Sequence, residues 1–345
     1  MRDFSKRREN PPVPSGTLIP VLRAYLAKHP TLPALDDEGY EAAVAHRLAG
    51  TVYHIRPPMS EKAREAARAG WLSQSAAHLR RVSTLAQRWP SGAPAPLIFK
   101  GGDLTENIFR DPGARRSSDL DLLVPPEDWE TIAATWARSA DEVTTARVES
   151  LPGDHPYDRG FRFGGVLLEL HRAPQPEHRG GPSGSALWSR GREAQLEGLA
   201  VRYPEAVDRF VLWVLGQAKN SFCTDLADQL DGACILRSFG DEAPFPELIQ
   251  RCRDADLEAP LALALLRLKA SGLWEQPLPA LGGPTVQAIA ALLPRPDEAP
   301  TTTPRWRFQL MKLWSTPSDR RAGLIRRLLE TALRASLRAS SPARR

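Results

Sequence analysis

The stretch LIFKGGDLTENIFRDPGARRSSDLDLLVPPEDW, residues 97–129, holds two features that bear on chemistry: the Gly101-Gly102 pair, and the alternating acids Asp119 and Asp121 that begin seventeen residues after Gly102. A strand places successive side chains on opposite faces, so Asp119 and Asp121 share one face, roughly 6–7 Å apart, while Leu120 and Leu122 share the other. Two carboxylates on one face repel and need a cation or solvent. Hard oxygen ligands of this kind suit one or two Mg2+ (or Mn2+) ions that bridge phosphates. Gly101-Gly102, at a strand-to-helix turn, lets backbone N–H groups approach a triphosphate without side-chain obstruction. A third acid, Glu169, stands in the apolar run VLLELH on the face opposite Leu168 and Leu170, where it can meet the first two. Three carboxylates on adjacent strands, beside a glycine turn that opens a helix, fit metal-assisted phosphoryl or nucleotidyl transfer.

The elements that must position these residues read as α+β. Residues 1–15, polar and proline-bearing, read as disordered. Helical periodicity follows over 17–29, 40–48 and 60–89, giving an N-terminal helical segment over 16–90 that Pro90, Pro94 and Pro96 close. Leu97-Ile98-Phe99 is a short buried strand, 103–109 a short helix with Asp103 as N-cap, and 119–124 a second strand. PPEDWETIAATWARSA is a helix with prolines at its start and acids in its first turn. Strands at 161–163 and Val166–His171 flank the Gly164-Gly165 turn, and after a loop over 172–185 a further strand is expected at Leu199–Tyr203. Residues 91–203 thus form a core with a small mixed sheet. Helices over 204–220, 224–239, 246–255, 260–271, 284–293 and 304–337 make a C-terminal helical domain, 204–337, and 338–345 is a disordered tail.

At 345 residues, 42% hydrophobic and 25% charged, the chain is globular and long enough for two domains. Its 46 basic against 41 acidic residues leave +5, and the bases are nearly all arginine, as a GC-rich genome gives; the excess permits acidic substrates without specifying nucleic acid. Cys223, Cys234 and Cys252, odd in number and without CxxC spacing, argue for a reducing compartment and against a zinc site or disulfide framework. No apolar run reaches 18 residues and the N-terminus lacks an apolar leader core, so a cytoplasmic protein is expected.

The run KGGDL, then RxxSDLDLLV from Arg115 followed by PPED, then LELH, resembles the uncharacterised nucleotidyltransferase family of the DNA polymerase β superfamily. Lys100, Gly101, Arg115, Ser118, Asp119, Asp121, Glu169 and His171 match its pattern position by position, and the resemblance covers residues 60–239. Gly102 stands where the family often has Ala, the gap from Gly102 to Asp119 is long for the superfamily, and the helical half often carries His near Gln217 and Lys219. Asp231 resembles a family Asp on the following helix.

The resemblance implies a polymerase β-like core and transfer of an NMP group from an NTP to an acceptor hydroxyl, with release of pyrophosphate. Asp119 and Asp121 would hold Mg2+ on the triphosphate, and Glu169 would complete the second metal site and help deprotonate the acceptor. Gly101 and Gly102 would bind the β/γ-phosphates, with a hydroxyl contact from Ser118. Arg115 would clamp a phosphate or form a structural ion pair, and Lys100 would neutralise the triphosphate or balance the acids. Lys219 and Asp231 fall on the nucleotide side. His171 either orients Glu169 or is a satisfied core-edge histidine; His155, Asp158 and Arg159 read as surface loop. The acceptor is a small molecule, a peptide or protein side chain, or a tRNA end. The first two are favoured because Glu205, Asp208, Asp225, Asp228 and Asp231 make the first C-terminal helices too mixed in charge for strong RNA binding. The arginine pairs 320–321 and 326–327 read as a solvated face. From another class stands a module that holds a nucleotide or partner without turnover, against which the intact acid set speaks.

Overall fold

The computed structural model describes residues 16–145, 157–176, 181–220, 222, 224–240, 243–279, 281 and 284–292. The ends expected to be disordered, the helix expected over 304–337 with its arginine pairs, His155 and Cys223 lie outside them.

Four helices come first, α1 (Leu18–Leu26), α2 (Asp37–Ala45), α3 (Ala49–Ile55) and α4 (Glu61–Arg88). The helix that periodicity predicts over 40–48 is α2, which starts earlier and ends at Ala45 before the chain turns at Arg47, whose φ is 65°; α3 beyond that turn is an additional helix. Asp36 and Ser60 cap α2 and α4 by accepting hydrogen bonds from the Gly39 and Ala63 amides, two of the donors that a first helical turn leaves without an internal partner.

Seven strands then form one mixed sheet: β1 (Leu97–Phe99), β2 (Leu120–Leu123), β3 (Glu142–Thr145), β4 (Asp158–Phe163), β5 (Val166–His171), β6 (Arg192–Leu196) and β7 (Leu199–Tyr203), in the order β3-β4-β5-β2-β1-β7-β6. β2 runs antiparallel to β1 and parallel to β5, and β1 is parallel to β7. Between β1 and β2 lies α5 (Gly101–Asp103), which continues as a π-helical segment over Leu104–Phe109. Helices α6 (Pro126–Ala137) and α7 (Gly184–Arg190) connect strands, and α8 (Ala206–Lys219), α9 (Leu226–Ser238), α10 (Phe245–Asp254), α11 (Glu258–Ala270) and α12 (Pro284–Leu292) follow.

Strand alternation sorts the apolar residues into two cores. Ile98, Leu120, Leu122, Leu168 and Leu170 face α6 and the end of α4, packing on Trp129, Ile132, Trp136 and Leu85. Leu97, Phe99 and Leu123 face the other way, into a cluster built from α1–α3 and α8–α11 together. The N-terminal and C-terminal helices therefore share one core, and the acids of the sheet open toward it.

Four of the elements between β2 and α8 depart from the sequence reading. β3 and β6 are additional edge strands. The β6–β7 hairpin closes on Glu197-Gly198, both at positive φ, the two-residue turn whose twist suits antiparallel strands. Helix α7 rises inside the Pro/Gly-rich connection, with Ser183 accepting from the Ala186 amide as its cap. β4 begins at Asp158, so Asp158 and Arg159 belong to a strand instead of a loop, and Arg159 lies 4.6 Å over the Trp129 ring.

Candidate active site

β1 ends at Phe99 and the chain turns sharply at Lys100, where φ is 51° and ψ −125°. Side-chain-bearing residues seldom occupy that region, at a cost of about 1–3 kcal/mol. The turn starts a helix at Gly101, directly over the strand ends. Both glycines are buried, and packing explains them: a Cβ on Gly102 would lie 2.5 Å from Leu120 Cδ1 and 2.7 Å from Ile98 Cγ2, and one on Gly101 would lie 2.7 Å from Arg115 Nη1 and Ser117 Oγ. The helix begins two residues before the expected N-cap, Asp103. That carboxylate instead takes Nε and Nη2 of Arg209 on α8, at 2.5 and 2.8 Å, in a buried pair that ties the glycine helix to the helical half.

Asp121 stands opposite Phe99 on one neighbour and Glu169 on the other, so the two carboxylates project from the same face across the parallel β2–β5 ladder. His171, opposite Leu123, shares that face. Lys100 Nζ lies 2.5 Å and His171 Nε2 3.0 Å from Asp121 Oδ1, and Nε2 is 3.6 Å from Glu169 Oε2. Ligand atoms of Asp121, Glu169 and His171 all fall within 4.8 Å of one another, an arrangement that can hold a metal ion. Among the described residues this is the set that meets that distance, and Asp119 stands beside it. β2 begins at Leu120, leaving Asp119 just before the strand, where Ser118 Oγ donates to its Oδ2 at 3.2 Å. The expected trio of Asp119, Asp121 and Glu169 is thus, by distance, a trio of Asp121, Glu169 and His171 with Asp119 flanking.

The electrostatics of the four groups differ. Burial, then repulsion from Asp121 and Glu169, pushes the Asp119 carboxyl up to about 6, against the pull of Lys100. Burial acts on Asp121 in the same sense, but Lys100 and His171 outweigh it and hold Asp121 well below the ordinary carboxylate range. Burial and Lys100 press the His171 value down, and hydrogen bonds to Asp121 and Glu169 raise it further than they lower it. The His171 ring is fully buried, edge-on to Phe99 at 5.0 Å, and its Nδ1 meets no hydrogen-bond partner among the described residues.

Arg115 takes up the ion-pair alternative: Nε lies 3.0 Å and Nη2 2.8 Å from Asp231 Oδ2 on α9. Its Nη1 stays beside Gly101. Lys219, at the end of α8, reaches Tyr157 Oη at 3.4 Å, and the Tyr157 ring lies 6.1 Å from that of His171. Lys100, Gly101, Gly102, Arg115, Ser118, Asp119, Asp121 and Glu169 therefore gather at one end of the sheet, while Asp231 and Lys219 approach it from the helical half. Sequence reading did not place His171 among ligand candidates; its spacing of two residues from Glu169 was the signal available.

Residues 34–270 match the profile of a family described as uncharacterised nucleotidyltransferases. The chain belongs to that family. The match takes in every strand of the sheet and helices α2–α11, and so the whole of the acid and glycine constellation. Family membership supports transferase activity in general terms. No curated protein matches the chain. Among the described residues no helix is long and apolar enough to cross a membrane.

Proposed function

We propose that the protein is a Mg2+- or Mn2+-dependent nucleotidyltransferase that moves an NMP group from an NTP to a hydroxyl of a small molecule, or of a peptide or protein, and releases pyrophosphate. The observation that carries this reading is the direct opposition of Asp121 and Glu169 across β2 and β5, beside a helix that starts on glycines at the end of β1.

The donor set fits a divalent cation. It offers hard oxygens from Asp121 and Glu169 with Asp119 alongside, and repulsion at Asp119 marks negative charge that Lys100 and His171 leave unmatched. Once bound, the ion would neutralise triphosphate charge and acidify the acceptor hydroxyl. Asp121 and Glu169, flanked by Asp119, would hold it. His171 acts as a positioning residue, fixing Asp121 through Nε2. Glu169 takes the proton of the acceptor hydroxyl as the acceptor oxygen bonds to the α-phosphorus and the bond from that phosphorus to the pyrophosphate oxygen breaks. Gly101 and Gly102 amides and the Ser118 hydroxyl bind phosphate oxygens. Arg115, fixed by Asp231 through one edge of its guanidinium, offers Nη1 beside the helix start. Lys100 balances Asp121 until substrate arrives and then serves the triphosphate. Lys219 and Asp231 border the nucleotide.

Calorimetry tests this directly. NTP should bind tightly only with Mg2+ or Mn2+ present, and Glu169→Gln should lower pyrophosphate release by roughly 10²–10⁴-fold while weakening NTP binding far less. NTP binding indifferent to EDTA would refute the metal-dependent reading.

A further inference from the structure

A cavity of about 150 Å3 lies between the glycine helix and helices α8 and α9, with Lys100, Arg115, Trp213, Gln217, Asp228 and Asp231 on its walls. Most of its charge is matched within the protein: Lys100 with Asp121, Arg209 with Asp103, Arg115 with Asp231. Asp228 is less well served. Arg47 gives both Nε and Nη2 to Asp225, and only Nη2, at 3.0 Å, to Asp228. Asp225, the N-cap of α9, is followed at three-residue intervals by Asp228 and Asp231 on the helix, so three carboxylates share the guanidiniums of Arg47 and Arg115.

A second group points the same way. Gln217 is 2% exposed, and its Oε1 accepts from Thr224 Oγ1 at 2.7 Å and Gln229 Nε2 at 2.9 Å. Its Nε2, on a residue of the cavity wall, meets no acceptor among the described residues. An amide donor without an acceptor, on a wall residue only 2% exposed, and a carboxylate short of a cation make a site for a ligand with an oxygen next to a positive charge.

We propose that this cavity receives a positively charged nitrogen of the acceptor, an ammonium or guanidinium, with Asp228 as its counter-ion and Gln217 donating to a neighbouring oxygen. The reading of nucleotidyl transfer is needed only to call the ligand an acceptor; the cation site stands on its own geometry. On the α8–α9 side of the cavity Asp228 and Asp231 would repel a triphosphate, whereas Lys100 and Arg115 lie on the glycine-turn side, so the Asp228 end is left to a cation. The state of Asp228 agrees: burial, then Asp225, push its carboxyl up to about 7, with Asp231 adding to the rise and Arg47 and Arg115 opposing it.

Small hydroxylated amines, each paired with its N-acetyl counterpart, are titrated calorimetrically into the full chain without nucleotide or metal. The amines should bind roughly 10- to 100-fold more tightly than their acetylated partners. Asp228→Asn, which keeps the side-chain shape and leaves Arg47 on Asp225, should erase that preference and leave metal-dependent NTP binding unchanged. Equal binding of the paired compounds to the wild-type chain, a measurement independent of any variant's folding, overturns the proposal. So does an Asp228→Asn variant that loses NTP affinity and keeps the amine preference. An amine preference in a wild-type chain that binds no NTP would support the cation site and sink the nucleotidyl-transfer reading.

Discussion

Lys100 holds a backbone conformation that glycine adopts without strain, while its ammonium rests on Asp121. Lys100→Ala and Lys100→Gly both remove that ion pair, but only glycine relieves the turn. The glycine variant should be the more stable of the two by about 1 kcal/mol in urea melts, and equal midpoints would show that the turn stores no strain. Asp119 gives a pH signature. Its folded value of about 6 lies above the ordinary 3.8, so over that interval the native state binds more protons than the unfolded chain. Stability of the metal-free protein should therefore fall as pH rises from about 4 to about 6, and Asp228, raised to about 7, should carry the fall further. Melts in EDTA at stepped pH should show Asp119→Asn flattening the lower part of this slope and Asp228→Asn the upper; a level wild-type profile would contradict both. Asp121 and Glu169 were legible in the sequence because strand alternation assigns each of them a face without knowledge of the sheet. The contact of His171 with Asp121 was not, since it depends on which strand lies beside β5 and in what register. The position of Asp119 just outside the strand was hidden for a similar reason: a strand's first residue is set by its neighbours.

Helix α5 is seated on the sheet by the absence of two side chains and fastened to α8 by one buried ion pair. Gly102→Ala would place a methyl group 2.5 Å from Leu120 Cδ1, so it should destabilise the protein by about 1–3 kcal/mol, seen as a lowered urea midpoint. Arg209→Met would strand the Asp103 carboxylate in the interior and should cost about 3–5 kcal/mol, most of it recovered in an Asp103→Leu/Arg209→Met double variant. A double variant no more stable than the single would assign the cost to packing instead of charge. Helices α8–α11 could be read from the sequence to within about two residues, because apolar periodicity and proline or acidic starts agree there. β6, with the sequence REAQL, could not. An edge strand with mostly exposed side chains carries little apolar alternation, and its Glu197-Gly198 turn lacks the Asn-Gly or Asp-Gly signal. The cap of α7 was masked by the prolines and glycines around it.

The charge of the whole molecule bears on the proposed acceptor. With +5 overall and acids spread through α8 and α9, incubation with α-labelled NTP should leave purified tRNA unlabelled at moderate salt and place label on small-molecule or protein fractions; label on tRNA would reverse that expectation. The cleft is also assembled from distant parts of the chain. Arg47 meets Asp225 and Asp228 on α9, Arg23 bonds the Gly272 carbonyl at 2.9 Å, and α1–α3 lie in one apolar cluster with α8–α11. On a ribosome this order has a temporal meaning. At about 5–20 residues per second, the 178 residues separating Arg47 from Asp225 take roughly 10–40 s to emerge. Through that interval α1–α3 expose apolar faces whose partners do not yet exist, while β1, β2 and β5 can already pair over α4 and α6. The carboxylates are thus in place on the nascent chain before the wall that would admit a substrate to them, and any pause before α9 leaves an acid cluster without its cavity and three helices in need of a chaperone.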